Sequence, residues 1–175
     1  VLATIDSSYS GSEGNRELFE KVNEQGIVSE YRLLEEKKLV KKFMGQVYSD
    51  EGLAVYGIHD VLNMLKSGIV DTLIITDEIP YMHLEIKCNK CGNTEEKYVD
   101  RANLINVKQE EVSKSCPKCG SQDREITDQD IVDHLEELSA NIGTKMEVIS
   151  SKTEEGAQLG SLGSIGALLR FKPTH

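Results

Sequence analysis

Apolar residues recur along most of this chain at spacings that alternate between helical and strand-like. Apolar stripes at helical spacing predict helices over residues 12–25, 35–47, 59–67, 127–142 and 153–160. Short β-branched or alternating runs predict strands over residues 28–34, 53–56, 70–76, 145–150 and 167–171. The run at 70–76 is nearly all apolar or β-branched, as expected of a central strand buried on both faces. Helices and strands in alternation predict a layered α/β sandwich.

The alternation is interrupted after Pro80, where a different pattern begins. Residues 83–87 and 95–99 read as the two strands of a hairpin, and strand-like alternation is expected to resume towards residue 116. Such ribbons have little core of their own. We therefore predict an inserted minidomain over residues 82–124 within an α/β domain formed by 1–81 and 125–175.

All four cysteines of the chain lie in this insert, as Cys88-Asn-Lys-Cys91 and Cys116-Pro-Lys-Cys119. Each pair is followed by glycine, which permits the tight turn that aims two thiolates at one point. Two such knuckles supply a tetrahedral four-sulfur site, so a zinc-ribbon-like minidomain is predicted, with Zn²⁺ bound by all four cysteines. Four sulfur ligands leave no open position for a substrate, so the zinc is expected to be structural.

Three other uses of the cysteines remain open on spacing alone. Two disulfides would also consume four thiols, and a redox dithiol uses a single Cys-x-x-Cys. An iron–sulfur centre or another thiophilic metal is compatible with four thiolates. The absence of a strand-then-helix frame around either pair disfavours redox catalysis.

The charge of the chain argues against broad contact with nucleic acid. Its formal net charge is −10. Residues 83–124 carry 8 basic and 7 acidic residues, which leaves 12 basic and 23 acidic residues outside the insert. A surface this acidic repels phosphate backbones, so proteins are the expected partners. No apolar run approaches the roughly 20 residues that span a bilayer, and reduced cysteines suit a cytoplasmic protein. Because the chain begins with Val1, we expect it to be a piece of a longer protein.

No group of residues predicts a catalytic site, so the chain is not expected to be an enzyme. The glycine-rich stretch 156–166 lacks the phosphate-binding motifs and precedes a strand, not a helix. The acidic pairs Glu35-Glu36 and Glu110-Glu111 are expected on ordinary solvated faces. His134 is placed on the polar face of its helix, and His83 is not expected to be a metal ligand because four cysteines complete the site.

Several stretches together resemble class-1 peptide chain release factors of the archaeal and eukaryotic type. They are Glu36-Lys-Lys-Leu-Val40, Gly57 with the helix up to Gly68, Val70-Asp-Thr-Leu-Ile-Ile75, Gly143-Thr-Lys-Met-Glu-Val-Ile149 and Gly163-Ser-Ile-Gly-Ala-Leu-Leu-Arg-Phe171. Asp6-Ser-Ser-Tyr9, followed by Gly11 and Gly14, extends the resemblance over the whole chain. The two cysteine pairs resemble the archaeal form.

The resemblance implies a role in translation termination. Proteins of this family have a domain that reads stop codons, a middle domain whose Gly-Gly-Gln motif promotes peptidyl-tRNA hydrolysis, and a C-terminal α/β sandwich that binds a translational GTPase. The chain contains neither Gly-Gly-Gln nor the stop-codon motif Asn-Ile-Lys-Ser. It therefore resembles the isolated C-terminal domain, and the resemblance implies that residues 1–9 are the last strand of the preceding, middle domain. The implied partners are an elongation-factor-1-alpha-like GTPase or class-2 release factor, the ribosome, and the ribosome-recycling ATPase.

The resemblance also implies a docking surface near the end of the chain. The family's GTPase-contacting stretch, Gly-Ile-Leu-Arg-Tyr, corresponds to Ala167-Leu-Leu-Arg-Phe171. With Leu169 and Phe171 facing inward, alternation sends Leu168 and Arg170 to the opposite face. The predicted partner-binding residues are Gly163, Ile165, Gly166, Leu168 and Arg170. An internal ion pair is the alternative use of Arg170.

Three other functions compete with this one, of which a zinc-dependent enzyme is disfavoured because four sulfur ligands close the metal site. A ribosome-rescue or mRNA-surveillance factor of the Pelota type shares the C-terminal fold, although such proteins lack the four-cysteine insert. A kink-turn-type RNA-binding domain has a similar sandwich, but the acidic surface outside the insert disfavours it.

Overall fold

The structure is a computed structural model that describes residues 27–49 and 52–173. The chain divides into two compact units, residues 1–42 and residues 43–175. The predicted helix over 12–25 and the predicted strand over 1–9 lie outside the described residues. Within those residues, no helix combines the length and the apolar character needed to cross a membrane.

The first described element is a long helix, α1 (Ile27–Val47). It replaces the strand predicted over 28–34, which was wrong. Three large apolar residues that suggested a strand, Tyr31, Leu33 and Leu34, are exposed. The segment is also rich in helix-forming residues, and Arg32 Nε donates to Glu36 Oε1 one turn later at 3.1 Å.

A four-stranded mixed sheet forms the centre of the second unit. Its spatial order is β1-β7-β2-β6, and the strands are β1 (Ala54–Tyr56), β2 (Val70–Thr76), β6 (Lys145–Ile149) and β7 (Ile165–Leu169). Strand β2 runs parallel to β6 and antiparallel to β7. The prediction for β2 is confirmed at both ends, and six of its seven residues are buried.

Helices cover both faces of this sheet, and β7 and β2 are its two interior strands. On one face the core joins strand residues such as Leu73 and Ile75 to α2 (Ile58–Lys66) and α4 (Ile131–Ile142). On the other face Phe43, fully buried, lies against Gly166 of β7. Helix α5 (Glu154–Ser161) contacts β2 and β7. The mixed α/β architecture is that predicted from the alternating pattern.

The insert is a three-stranded antiparallel sheet of order β4-β3-β5. Its strands are β3 (Tyr81–Cys88), β4 (Thr94–Asp100) and β5 (Arg124–Asp130). The hairpin predicted from 83–87 and 95–99 is the β3–β4 pair. Between β4 and β5 the chain forms a 3-10 turn (Arg101–Asn103) and a helix, α3 (Leu104–Ser113), where strand-like alternation was predicted.

The helix predicted to begin at Thr127 begins four residues later. Thr127 pairs with Glu85 in the insert sheet, so β5 continues to Asp130. The Asp130 carboxylate accepts the backbone N–H of Val132 at 2.9 Å and so caps α4. The polar residues before Asp130 pair with β3 in the insert sheet. The sequence pattern did not show this, because the helical spacing of the apolar residues after Asp130 suggested an earlier helix start.

Candidate metal centre and partner surface

Two knuckles with the same backbone hydrogen bonds present the four cysteines. In each, the N–H of the first cysteine, Cys88 or Cys116, donates to the carbonyl five residues later at 2.8 Å. The glycine after the second cysteine donates back to the first cysteine's carbonyl, at 2.9 Å for Gly92 and 2.8 Å for Gly120. Both glycines have a left-handed backbone, with φ of 70° and 72°. Two unrelated stretches of sequence thus form the same ligand-presenting turn.

The four sulfurs stand at the separations that one tetrahedral ion requires. Cys88 Sγ lies 3.6 Å from Cys119 Sγ, and Cys91 Sγ lies 3.7 Å from Cys116 Sγ. All four Sγ atoms are within 4.8 Å of one another. Metal–sulfur bonds of about 2.3 Å in a tetrahedron separate the sulfurs by about 3.8 Å. A disulfide needs about 2.05 Å, so the four cysteines are free thiols arranged around a single point.

The surroundings of these thiols indicate why a cation suits the centre. The backbone N–H of Cys91, and then that of Lys90, lowers the pKa of Cys88 to about 7. The backbone N–H of Asn93 lowers the pKa of Cys91, but the neighbouring Cys119 thiol and burial both raise it. Together these two effects outweigh the hydrogen bond and raise the pKa of Cys91 to about 12. Four thiolates this close repel one another unless a cation lies between them.

A buried ion-pair network supports the second knuckle, and the sequence did not reveal it. Glu111, which was predicted on a solvated face, is only 2% exposed. Its carboxylate is 2.7 Å from Lys97 Nζ and 2.6 Å from Lys114 Nζ. Arg124, whose side chain is 3% exposed, lies 3.4 Å from Glu111 Oε2 and 3.3 Å from Glu95 Oε1.

This network fixes the chain that leads into Cys116. Arg124 Nη1 donates to the carbonyls of Glu111 at 3.3 Å and Lys114 at 3.2 Å. Although burial raises the pKa of Glu111, hydrogen bonds from Lys114 and Lys97 outweigh it and lower that pKa to about 2.

The prediction for Glu36 was also wrong, since that residue is buried as well.

The predicted partner-binding residues do not form one continuous surface. Ile165, Gly166 and Leu168 are buried within β7, because β7 is an interior strand with helices on both of its faces. Gly163 and Arg170 flank this five-residue strand, which spans roughly 15 Å, so they lie at its opposite ends. The side chains of Ile165 and Leu168 therefore offer no surface to a partner.

Arg170 contacts the chain's own backbone. Its Nη2 donates to the carbonyl of Gly143 at 2.9 Å, and its Nη1 to the carbonyl of Gly68 at 3.4 Å. These carbonyls follow the C-terminal ends of α4 and α2, where a cation is favoured. The ion pair considered as an alternative is replaced by these two neutral acceptors. Phe171, predicted to face inward, is 58% exposed because β7 ends at Leu169.

Comparison with known proteins identifies the family of this fold. A family model described as eRF1 domain 3 matches residues 33–173, which is most of the chain. The chain belongs to the eRF1 domain 3 family. It is 38% identical over 174 residues to the curated peptide chain release factor subunit 1 of Methanocaldococcus jannaschii, covering 98% of this chain and 41% of that protein. The chain therefore spans about two fifths of the length of that relative.

Solved structures show where this fold has been seen before. The C-terminal domain of a peptide chain release factor from Methanosarcina mazei aligns with a TM-score of 0.72 at 27% identity, covering 94% of this chain and 98% of that one. Pelota from Archaeoglobus fulgidus aligns at 22% identity with a TM-score of 0.54, covering 98% and 40%. Dom34 from S. cerevisiae, described as interacting with Hbs1, aligns at 14% with a TM-score of 0.52, covering 94% and 34%. The last two indicate a shared fold only.

A histidine pair was also missed at the edge of the insert. His134, predicted on a polar helix face, is 7% exposed and stacks on His83, which is 5% exposed. His83 lies in β3 and His134 in α4, about 50 residues later in the chain. The helical periodicity around His134 therefore gives no sign that the two rings meet. The apolar residues around His134 in α4 were the only signal available.

Proposed function

We propose that this chain is the C-terminal domain of a translation termination factor and binds that factor's translational GTPase. The carrying observation is the match over nearly its whole length to a release factor C-terminal domain, at a TM-score of 0.72. Stop-codon recognition and peptidyl-tRNA hydrolysis are assigned to other parts of the full-length factor, because the chain contains no Gly-Gly-Gln or Asn-Ile-Lys-Ser. Binding is thus the role of this piece.

The end of β7 is the best-supported place for the GTPase. Phe171 is a large exposed aromatic beside the exposed Arg170, and aromatic and arginine side chains are over-represented where binding energy concentrates. The two backbone contacts of Arg170 occupy two of the five donors of a guanidinium. The Gly163 turn, at the other end of β7, is proposed as a second, separate contact of the same partner.

The GTPase is expected to be of the elongation-factor-1-alpha type or a class-2 release factor. Dom34, whose structure is described as interacting with Hbs1, supports the use of this fold for docking a partner protein. The ribosome and the ribosome-recycling ATPase are proposed as further partners of the full-length factor. Since termination takes place on cytoplasmic ribosomes, the proposed location is the cytoplasm.

Zinc is the metal proposed for the four cysteines. Cys88, Cys91, Cys116 and Cys119 would hold it as thiolates, and the sulfur separations suit one tetrahedral ion. When bound, such an ion cross-links the two knuckles and offers no open coordination position. Its role is to stabilise the insert.

Titration with a purified archaeal GTPase of the elongation-factor-1-alpha type tests the docking proposal. We expect saturable binding that weakens by about 1–3 kcal/mol in Phe171→Ala, with an unchanged melting temperature because the side chain is exposed. The matched control is Val112→Ala, which removes an exposed apolar side chain from the insert. Equal affinity for wild type and Phe171→Ala would move the interface away from β7.

A Pelota-type rescue factor is the second candidate, favoured by the likeness of fold to Archaeoglobus fulgidus Pelota. The two candidates differ in the ribosome that the full-length protein recognises. A termination factor binds ribosomes halted at a stop codon, whereas a rescue factor binds ribosomes stalled elsewhere. Ribosome pelleting with both programmed complexes separates them, and equal binding to both would favour the rescue factor.

A further inference from the structure

Two stacked histidines join the insert to the helical layer of the main sheet. The ring of His83 in β3 lies face to face with that of His134 in α4, with centroids 3.7 Å apart and planes 14° from parallel. Tyr98, opposite His83 in β4, places its hydroxyl 3.2 Å from His134 Nε2. Lys66 of α2 pairs with Glu96 of β4 beside the stack. We call these five residues the histidine seam; they link two insert strands to two helices.

One polar atom in the histidine seam is unsatisfied. His83 Nε2 is buried and has no hydrogen-bond partner within residues 27–49 and 52–173. Its nearest acidic oxygen is Glu96 Oε1, at 3.9 Å, which is too far for a hydrogen bond. A buried polar atom without a partner is costly, so its presence in a folded protein calls for a physical explanation. Neither the cysteine centre nor the proposed GTPase surface uses it.

The stacked geometry favours a proton over a metal ion as the ligand of this site. Two imidazoles that share one metal direct their nitrogen lone pairs at a common point. Here the rings lie in two nearly parallel planes 3.7 Å apart, so those directions run side by side. Glu96, the third potential ligand, is already engaged by Lys66. The arrangement instead resembles an aromatic contact between neutral rings.

We propose that the His83–His134 stack is a proton-sensitive latch, which holds the insert against α4 while both rings are neutral and releases it when they are protonated. A first proton on His83 would face Glu96, but a second would place two cations face to face at 3.7 Å. The charged and titratable groups that face the pair are Lys66, Glu85, Glu96, Tyr98 and Glu137. They come from both neighbouring helices as well as the insert sheet.

The direction of the pH effect follows from burial. Burial lowers the pKa of His83, and burial together with the neighbouring His83 lowers the pKa of His134. A base whose pKa is lowered by folding favours the folded contact only while it is neutral. The latch is therefore closed above the ordinary histidine value of about 6.5 and opens as the pH falls below it.

The latch is tested on the chain with its cysteine centre loaded with zinc. Histidine NMR titration of the wild-type chain should give midpoints for His83 and His134 below about 6.5. Hydrogen exchange, corrected for intrinsic rate, should show protection of β3 and α4 falling at least about tenfold between pH 7.5 and 5.5, relative to β2. His134→Phe keeps a stacked ring without a titratable group, so its protection should change less than about twofold. His59→Gln, at an exposed histidine of α2, should behave as the wild type.

Three outcomes would overturn the latch. The first is a titration midpoint at or above about 6.5 for both buried histidines of the wild type, which needs no variant to fold. The second is an equal loss of protection in wild type and His134→Phe. The third is stoichiometric binding of added Ni²⁺ or Zn²⁺ at His83 and His134 once the cysteines are filled, because the site would then be a metal site.

Discussion

At the scale of single residues, buried charge distinguishes this domain from a simple hydrophobic sandwich. Glu111 is a nearly inaccessible carboxylate held by two lysines and an arginine. Removing one partner from such a network leaves the other charges buried without compensation, which is the expensive case for an ion pair. Loss of any one member of this network is therefore expected to destabilise the insert, because the remaining charges would be buried without a partner.

Glu111→Gln is expected to destabilise the insert by about 3 kcal/mol, the low end for a broken buried ion pair, because Lys97 and Lys114 are partly exposed. The amide keeps the shape of the side chain but removes the charge that balances Lys97, Lys114 and Arg124. The free energy of unfolding of the insert is measured by urea titration, with hydrogen exchange as the probe of unfolding. Glu110→Gln, at the exposed neighbour, is the matched control and should change the free energy of unfolding by less than about 0.5 kcal/mol. Equal effects would mean that Glu111 is not coupled to its partners.

The same carboxylate should make the insert acid-sensitive. The pKa of Glu111 is lowered to about 2 from an ordinary value of 4.5, although its burial opposes this, because Lys114 and Lys97 donate to it. Its contribution is thus fully present above about pH 4.5 and is lost as the pH falls towards 2. We expect the wild type to lose more stability than Glu111→Gln over this window. Parallel pH profiles for the two proteins would contradict the assignment.

Local signals at the residue scale were readable from the sequence, and distant ones were not. The cysteines and their glycines could be predicted because each knuckle is made by five consecutive residues. Glu111 and His134 could not, because Lys97, Arg124 and His83 reach them from other elements. A polar residue in an amphipathic pattern is predicted to be solvent-exposed, and only the folded structure shows the partner that allows it to be buried.

At the scale of elements, strands were predicted well where burial on both faces produced a run of mostly apolar or β-branched residues. Strand β2 is such a case, and its limits were found correctly. The errors arose where polar residues belong to the small insert sheet, as at Thr127, or where apolar residues of a helix are exposed, as at Tyr31. Hydrophobic spacing reports which side chains face a core, so it fails for elements that have little core to face.

Close packing between elements predicts the effect of a single methyl group. A Cβ at Gly166 would lie 2.4 Å from Phe43 Cζ, well inside van der Waals contact. Gly166→Ala should therefore destabilise the main sheet by about 1–3 kcal/mol. Gly160→Ala is the control, since nothing lies within 4 Å of its Cβ position in α5. Thermal unfolding of both variants decides, and equal melting temperatures would contradict the packing described for β7.

Metal removal should affect the insert and spare the main sheet. A structural zinc site contributes on the order of 10 kcal/mol to a small module, whereas β2 and its neighbours are held by an apolar core of their own. We expect one zinc per chain by elemental analysis. After chelation, hydrogen exchange should lose protection over residues 83–124 and retain it over 70–76. Unchanged protection of the insert, or unfolding of the whole chain, would contradict a structural metal centre.

At the scale of the whole molecule, the chain is an acidic α/β domain that carries a nearly neutral insert. Outside residues 83–124 it has 12 basic and 23 acidic residues. This charge disfavours extended contact with ribosomal RNA and suits a protein partner. The chain spans 41% of the length of the Methanocaldococcus jannaschii release factor. Recruitment of the GTPase and release of the peptide are therefore separable steps in the proposed account.

Competition in a reconstituted termination reaction tests that separation most directly. Peptide release by a full-length archaeal release factor, with its GTPase and stop-programmed ribosomes, is measured as this chain is added. We expect the chain alone to release no peptide, and an excess of it to suppress the GTPase-dependent part of release by sequestering the GTPase. Phe171→Ala should suppress release less than Val112→Ala does. Release by the chain alone, or undiminished release at saturating chain, would contradict the account.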